Sequence, residues 1–467
     1  MHTNPLKESE THRIILLRGR DPQVLLGSEG TQYSLPEVTI PRWQRVAENI
    51  ATALGETCGV DAISLSSLDT SLWESRSERG CYEIMEPCVQ QHEAPHDKKW
   101  VAVGCLEQTG FRYPCDFQAI RRAIVQSMEC AQDTARGPFG RLGWFPDLQQ
   151  WVQEEIATEG LHLNGRFRQL NASSTFSLIR FETDGPAVWF KAVGAPNQRE
   201  YPVTLALARL FPRFIPQIIA TRPEWNGWLA LEAQGPILYE SFVLASWESA
   251  ATDLAELQIH SLGRSLHLLD PGARDLRAQS LVDFVDPFFG VMGELMERQT
   301  KSLPAPLSRE ELRCLSAKVL GALAVLEETG IPNTLGNLDI NPGNIVCSSA
   351  GCVFLDWAEA FVGHPFLTFQ YLLEHFKRTF GQQHSQVTQL IVRYSCPWRA
   401  FASENDICRA LEAVPLVAVF AYATGNDQWK DPGELQEPHV AGYLRSLTRR
   451  MEREARVLVE RSTSCLS

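Results

Sequence analysis

The sequence is short of what would tie it to a membrane or to nucleic acid. Its longest apolar stretch, Ala413 to Ala423, contains Pro415 and falls short of the roughly 20 residues of a membrane-crossing helix, so it reads as a buried helix. Basic residues are outnumbered, 43 Lys and Arg against 56 Asp and Glu, for a net charge of -13. Phosphate backbones and anionic lipid both need clustered positive charge, so neither is expected as a partner. The stretch Met1 to Glu10 lacks the basic-then-apolar order of a secretory leader, and a cytoplasmic location is expected. The 12 cysteines, scattered from Cys58 to Cys465, include no C-x-x-C pair, so reduced thiols are expected rather than a disulfide framework or a zinc site. Internal repeats and low-complexity tracts are absent, and nothing in the pattern speaks to oligomeric state.

What the chain has is length. A single core stops growing at roughly 250 to 300 residues, so 467 residues at 44% hydrophobic content predict two or three domains. The apolar runs Arg13-Ile14-Ile15-Leu16-Leu17 and Gln23-Val24-Leu25-Leu26 flank a polar turn and predict a hairpin. Trp43, Val46, Ile50, Ala53 and Leu54 recur at helical spacing between Pro41 and Leu54, ahead of Gly59. A strand from Trp100 to Leu106 and a helix from Asp116 to Met128 complete an α+β domain over residues 1–132. Chain breakers concentrate around Arg136-Gly137-Pro138-Phe139-Gly140, which puts a linker at 133–146. A helix from Asp147 to Thr158 opens the second domain, 147–467, in which strands come first and helices after; that order fits an α+β fold better than alternating βαβ units.

The segment Gly336 to Trp357, GNLDINPGNIVCSSAGCVFLDW, carries the chemistry. Asp339 and Asn344 form a D-x-x-x-x-N pair, and Asp356 follows the apolar strand Cys352 to Leu355. Phosphoryl transfer asks little covalent chemistry of a protein. It needs a carboxylate to orient the attacking hydroxyl, and oxygen ligands that hold magnesium on the phosphates. A short loop supplies the first two side chains and a hairpin returns the third, with Cys347 and Cys352 on its adjacent strands.

These residues resemble the loop of the aminoglycoside and choline phosphotransferase families, whose usual form is His-Gly-Asp-Leu-His-Pro-Gly-Asn, an apolar strand pair, then Asp-Trp. Asp339, Pro342, Gly343, Asn344, Asp356 and Trp357 match it. The resemblance implies a two-lobed protein-kinase-like fold, with a strand-rich lobe to about residue 234 and a helical lobe from 235 to 467, using ATP and Mg2+. Asp339 would be the catalytic base, and Asn344 and Asp356 the magnesium ligands. Asn337 and Leu338 stand where the family has His and Gly, so different hydrogen bonds are expected to hold the loop. Two functions follow from this: an ATP-dependent phosphotransferase acting on a hydroxyl of a small molecule, or a catalytically impaired, nucleotide-binding pseudokinase with a regulatory or scaffold role.

The same resemblance asks for a nucleotide-binding lobe upstream. Ser177 to Thr183 and Ala187 to Val193 flank the turn Asp184-Gly185-Pro186, and Lys191 falls where such folds carry the strand lysine that grips the α- and β-phosphates. Glu200, at the head of a helical pattern, is either the ion-pair partner of Lys191 or a carboxylate favoured by the helix dipole. The stretch Asn171 to Phe176 stands at the phosphate-loop position without a glycine, with Ser173 and Ser174 as its small residues. Trp228 to Gly235, including Glu232 and Ala233, reads as a strand running into the adenine-binding hinge the resemblance implies.

Residues 1–132 resemble, more distantly, a Nudix-type domain, with an unrelated α+β domain as the alternative. The helix ending at Gly59 keeps Glu56 but has Thr57, Ala53 and Thr52 where the metal-gathering positions fall, which implies a lost hydrolase site. His92-Glu93-Ala94-Pro95-His96 spells a zinc-protease motif, but Pro95 sits inside the helical turn that the motif requires, and a solvated loop is expected. After Asp356 the chain reaches Gly363-His364-Pro365 and a buried helical pattern with no room for a peptide platform, so a small hydroxylated acceptor is expected rather than a protein. Glu359 reads either as an acidic group that attracts a cationic acceptor such as an amino sugar or as a solvated surface carboxylate.

Overall fold

The structure, a computed structural model, describes residues 9–29, 32–42, 45–68, 81–89, 93–95, 97–132 and 137–464. Trp43, His92, His96 and residues 133–136 of the expected linker lie outside the described residues. The architecture is mixed α and β, in two compact units: Met1–Tyr201 with Gln217–Glu232, and Pro202–Pro216 with Ala233–Ser467.

The first unit holds two sheets. In the first sheet, β1 (Ser9–Arg18) turns back through β2 (Gln23–Glu29), with Leu17 opposite Val24; β3 (Gln32–Ser34) extends β2, and β4 (Glu37–Pro41) lies antiparallel to the start of β1. The helix α1 (Val46–Cys58) follows, ending on Gly59 in the left-handed region at φ 64, a conformation that costs glycine nothing. It starts later than its apolar spacing suggests because Glu37–Pro41 is taken up in strand pairing with β1. β5 (Ala62–Ser67) and β6 (Cys81–Pro87) form the other flank, β6 running parallel to β1, and β7 (Lys98–Ala102) pairs with β2. The strand expected to reach Leu106 stops at Ala102 and becomes a 3-10 turn over Val103–Cys105, where the Val103 N–H donates to the Pro22 carbonyl instead of the sheet.

Helices α2 (Pro114–Gln132) and α3 (Trp144–Ala157) lead to the second sheet, ordered β11-β12-β10-β9-β8, from β8 (Leu163–Ser173), β9 (Phe176–Thr183), β10 (Val188–Val193), β11 (Ile218–Arg222) and β12 (Gly227–Leu231). The two sheets share one core. Ile15, Leu17 and Ile63 from the first pack in the same cluster as Ile179, Phe181 and Phe190 from the second, and Phe139, Trp144 and Phe145, from residues read as linker, lie within it. Gln169 binds across: its amide accepts from the Ser64 N–H at 2.7 Å and donates to the Ser64 carbonyl at 2.8 Å, so a buried polar side chain is satisfied at both ends.

The second unit is mainly helical. α4 (Glu200–Leu210) belongs to it from Pro202 on, and α5 (Leu244–His260), the short strand β13 (Arg274–Leu276), α6 (Ala278–Glu297) and α7 (Arg309–Glu328) follow. β14 (Thr334–Asn337), β15 (Ile345–Ser348), β16 (Gly351–Phe354) and β17 (Ala360–Gly363) carry the motif region, and α8 (Phe366–Phe380), α9 (His384–Ser395), α10 (Glu404–Gly425) and α11 (Pro438–Ser464) close the chain. By length and composition α10 is apolar enough to cross a membrane. Its Leu416, Val417, Phe420 and Ala421 are buried in the core of this unit, as expected from sequence for a core helix.

Candidate active site

Strand alternation sorts β10 into two faces. Phe190 and Ala192 point into the shared core, while Trp189 and Lys191 fall on the opposite face. Lys191, opposite Trp228 on β12, donates to Glu200 at 2.5 Å, and its ammonium lies 5.7 Å from the centre of the Phe176 ring. Glu200 is only 2% exposed, at the first turn of α4. Both readings of Glu200 hold at once: it heads the helix and pairs with the lysine. A carboxylate this deep is stable only with a partner, so the pair fixes the direction of the lysine.

The other candidates near this sheet are occupied by the sheet itself. Ser173, Ser174 and Thr175 make the tight turn from β8 to β9, with Ser173 opposite Phe176; the Ser173 hydroxyl accepts from the Thr175 N–H at 3.2 Å. The Glu232 carboxylate takes Arg180 in two contacts, 2.6 and 2.9 Å, and the Trp189 indole at 3.2 Å; those partners hold it below the ordinary carboxylate range. Its N–H donates to the Ala187 carbonyl. Ala233 begins the second unit. Two residues on, Gly235 has φ 127 and a side chain there would run into the Cys347 carbonyl, because the Cys347 N–H reaches back to Pro236 at 3.0 Å.

In the second unit the motif is held by Asn337. Its side-chain oxygen accepts from the Asp339 N–H at 2.9 Å, its amide donates to the Asp356 carbonyl at 2.8 Å, and its own N–H donates to the Thr368 hydroxyl at 2.9 Å. One buried side chain thus ties the loop carrying Asp339 to the residue that closes the hairpin. Asn344 joins the network through its carbonyl, which accepts from the Leu355 N–H at 2.8 Å. Asp356 itself lies at φ 58, in the left-handed region where an aspartate is strained by order of 1 kcal/mol or more and must be held by its surroundings. Leu338, the second departure from the family pattern, is buried against α10, where Gly425 leaves room for it: a methyl added at Gly425 would stand 2.6 Å from Leu338 Cδ1.

Pattern reading missed three residues here. Asn341 caps the 3-10 turn Pro342–Asn344, accepting from the Gly343 N–H at 2.8 Å, and its amide lies 3.3 Å from the Asp339 carboxylate. The Asn-Pro dipeptide is a known turn signal and was available for this. Thr368 carries no local signal. Arg274 forms a two-pronged ion pair with Glu359, one contact at 3.0 Å, and is itself buried. The expectation that Glu359 draws in a cationic acceptor is therefore corrected: its charge is matched within the fold. Cys347 and Cys352 face each other across the hairpin as expected, with Sγ atoms 3.2 Å apart. In the first unit Glu56 is exposed, and among the described residues it belongs to no metal-binding group of three.

No family model matches the chain, and no curated protein matches its sequence. Among solved structures, a macrolide 2'-phosphotransferase from Brachybacterium faecium aligns over 63% of this chain and 99% of its own at TM-score 0.41 and 16% identity. An ethanolamine kinase from Plasmodium vivax aligns over 71% and 93% at 0.46 and 12%. A choline kinase from Cryptosporidium parvum aligns over 68% and 97% at 0.47 and 12%. With TM-scores below 0.5, these likenesses assign neither a family nor an activity.

Proposed function

We propose that the chain is a nucleotide-dependent phosphotransferase of kinase-like fold that moves a phosphoryl group to a hydroxyl of a small molecule. The observation that carries this reading is the Asn337 bridge, which ties Asp339 to Asp356 by two side-chain hydrogen bonds although the histidine of the usual motif is missing. Asp339 orients the acceptor hydroxyl and takes its proton. Asn344 and Asp356 offer a neutral and an anionic oxygen, the hard donors that magnesium accepts; when bound, the ion screens the charge of the phosphates. In the first unit Lys191, held by Glu200, is the candidate for a phosphate-gripping lysine. Nothing in the connection after Asp356 supports a peptide: four residues separate Asp356 from Phe361 in β17, and α8 starts at Phe366.

The test is a thermal-shift titration with Mg-ATP, followed by ATP consumption over a panel of amino sugars, polyols, amino alcohols and a generic peptide mixture. Acceptor-dependent ADP formation with a small hydroxyl compound is the expected result. Nucleotide binding without turnover on any acceptor assigns the pseudokinase role instead. No magnesium-dependent binding at all overturns both.

A further inference from the structure

The first unit contains a cluster of donor atoms that the phosphotransferase reading does not use. Glu10 and His12 are two apart on β1 and so share a face. His12 pairs in register with Cys81, the first residue of the parallel strand β6. The three side chains converge. Cys81 Sγ lies 3.2 Å from one Glu10 carboxylate oxygen, His12 Nε2 lies 3.7 Å from the other, and one donor atom from each residue falls within 4.8 Å of the rest. His12 is 6% exposed, and its Nε2, directed at this cluster, has no hydrogen-bond partner. A buried polar atom in that condition is destabilising, and a bound ligand relieves it.

We propose that Glu10, His12 and Cys81 form a binding site for a zinc-class transition metal. A tetrahedral zinc with bonds of about 2.0–2.3 Å sets its ligand atoms roughly 3.3–3.8 Å apart; the His12–Glu10 pair has that spacing at 3.7 Å, and the Cys81–Glu10 pair, to the other carboxylate oxygen, stands just under it at 3.2 Å. One thiolate, one imidazole and one carboxylate are the mixed S, N and O set that zinc takes in preference to magnesium or calcium. The charges also close, since a thiolate and a carboxylate offset a divalent ion in this partly buried place. Burial, followed by the hydrogen bond to Glu10, pushes the Cys81 thiol up to about 11. Burial also lowers His12, leaving the imidazole neutral with a lone pair to give. On binding, the S–H bond breaks, a metal–sulfur bond forms, and the thiol proton passes to buffer. Three protein ligands leave a fourth position, reached past the half-exposed Glu10, for water.

The experiment uses the full chain, stripped with a chelator, kept under a phosphine reductant and titrated with Co2+ in excess Mg2+ to fill hard-oxygen sites. The expected result is one Co2+ per chain with a sulfur-to-cobalt band in the near ultraviolet and the visible bands of a tetrahedral ion. Cys81→Ser is expected to abolish the sulfur band, and Glu10→Gln to weaken affinity tenfold or more. A band that persists in Cys81→Ser places the metal on other cysteines, Cys347 and Cys352 among them, and overturns the proposal; so does the absence of any sulfur band in the parent chain. If Cys81→Ser fails to fold, the milder Glu10→Gln decides, and an affinity unchanged from the parent overturns it.

Discussion

The proposed function gives Asp339 and Asp356 separate duties, and substitution tells them apart. An amide at Asp339 keeps the size of the side chain and its contact with Asn341 but cannot take a proton. Asp339→Asn is therefore expected to lower kcat by 100-fold or more while leaving Mg-ATP affinity within about threefold, the range general-base catalysis contributes. On the same proposal Asp356→Asn removes the anionic magnesium ligand, so the loss is expected first in nucleotide affinity, read by isothermal titration with and without Mg2+. Equal turnover in both variants and the parent would reject the assignment. A different residue governs acid tolerance. His364 is buried, its Nδ1 accepts from the Phe366 N–H at 3.3 Å, and burial lowers its pKa to about 3. The unfolded chain takes up that proton below about 6.5 and the folded chain does not, so the folded state loses stability as pH falls from about 6.5 toward 3. His364→Asn keeps an acceptor for the Phe366 N–H and does not titrate. Its Tm is expected to fall less than the parent's between those limits, and parallel Tm profiles would show that His364 plays no part. Neither His364 nor Thr368 stands out in sequence. The motif residues do, because several chemical types at fixed spacing are rare together, whereas a buried histidine or threonine gains its role only from residues far along the chain.

At the level of elements, the hairpin from β9 to β10 is legible in sequence to within one residue at the start of each strand. Alternating apolar positions and an Asp-Gly-Pro turn leave a strand pair little choice of register. The onset of α1 and the end of β7 were not, since both are set by partners in the sheet. The loop around Asp339 lies between these cases. Its two departures from the family pattern were visible, but what replaces the lost histidine and glycine was not, because Asn337 works through Asp356 and Leu338 through Gly425. That last contact can be measured. Gly425→Ala at the end of α10 presses on Leu338 Cδ1 and is expected to cost about 1–3 kcal/mol, the usual range for overpacking. In a Leu338→Ala background the same substitution meets only ordinary contact with Arg274, at 3.5 Å, and is expected to cost less. Denaturant melts of the four proteins in the cycle give the coupling directly, and additive effects would rule the contact out.

On the scale of the molecule, the first unit is the informative part. Breakers such as Gly137 and Pro138 mark sharp turns in the sequence, but a pattern of breakers does not say whether the chain turns in water or through a core. Here Phe139, Trp144 and Phe145 pack with residues of both sheets, and Phe145 stacks on Phe181 at 6.3 Å. A chain that begins at residue 137 keeps every candidate residue of the phosphotransferase reading but loses one side of that core. It is expected to be insoluble or to bind ANS strongly with a lowered Tm; a soluble, cooperatively melting product would contradict the shared core. The same core bears on how such a chain changes over generations. A module that ends in a polar linker is exchanged by a single crossover, but one that ends in shared aromatic packing brings half a core to a stranger. Recombination within residues 9–201 is expected to be selected against unless both sheets travel together, and genealogies drawn separately from residues 9–132 and 163–193 of related chains are expected to branch alike.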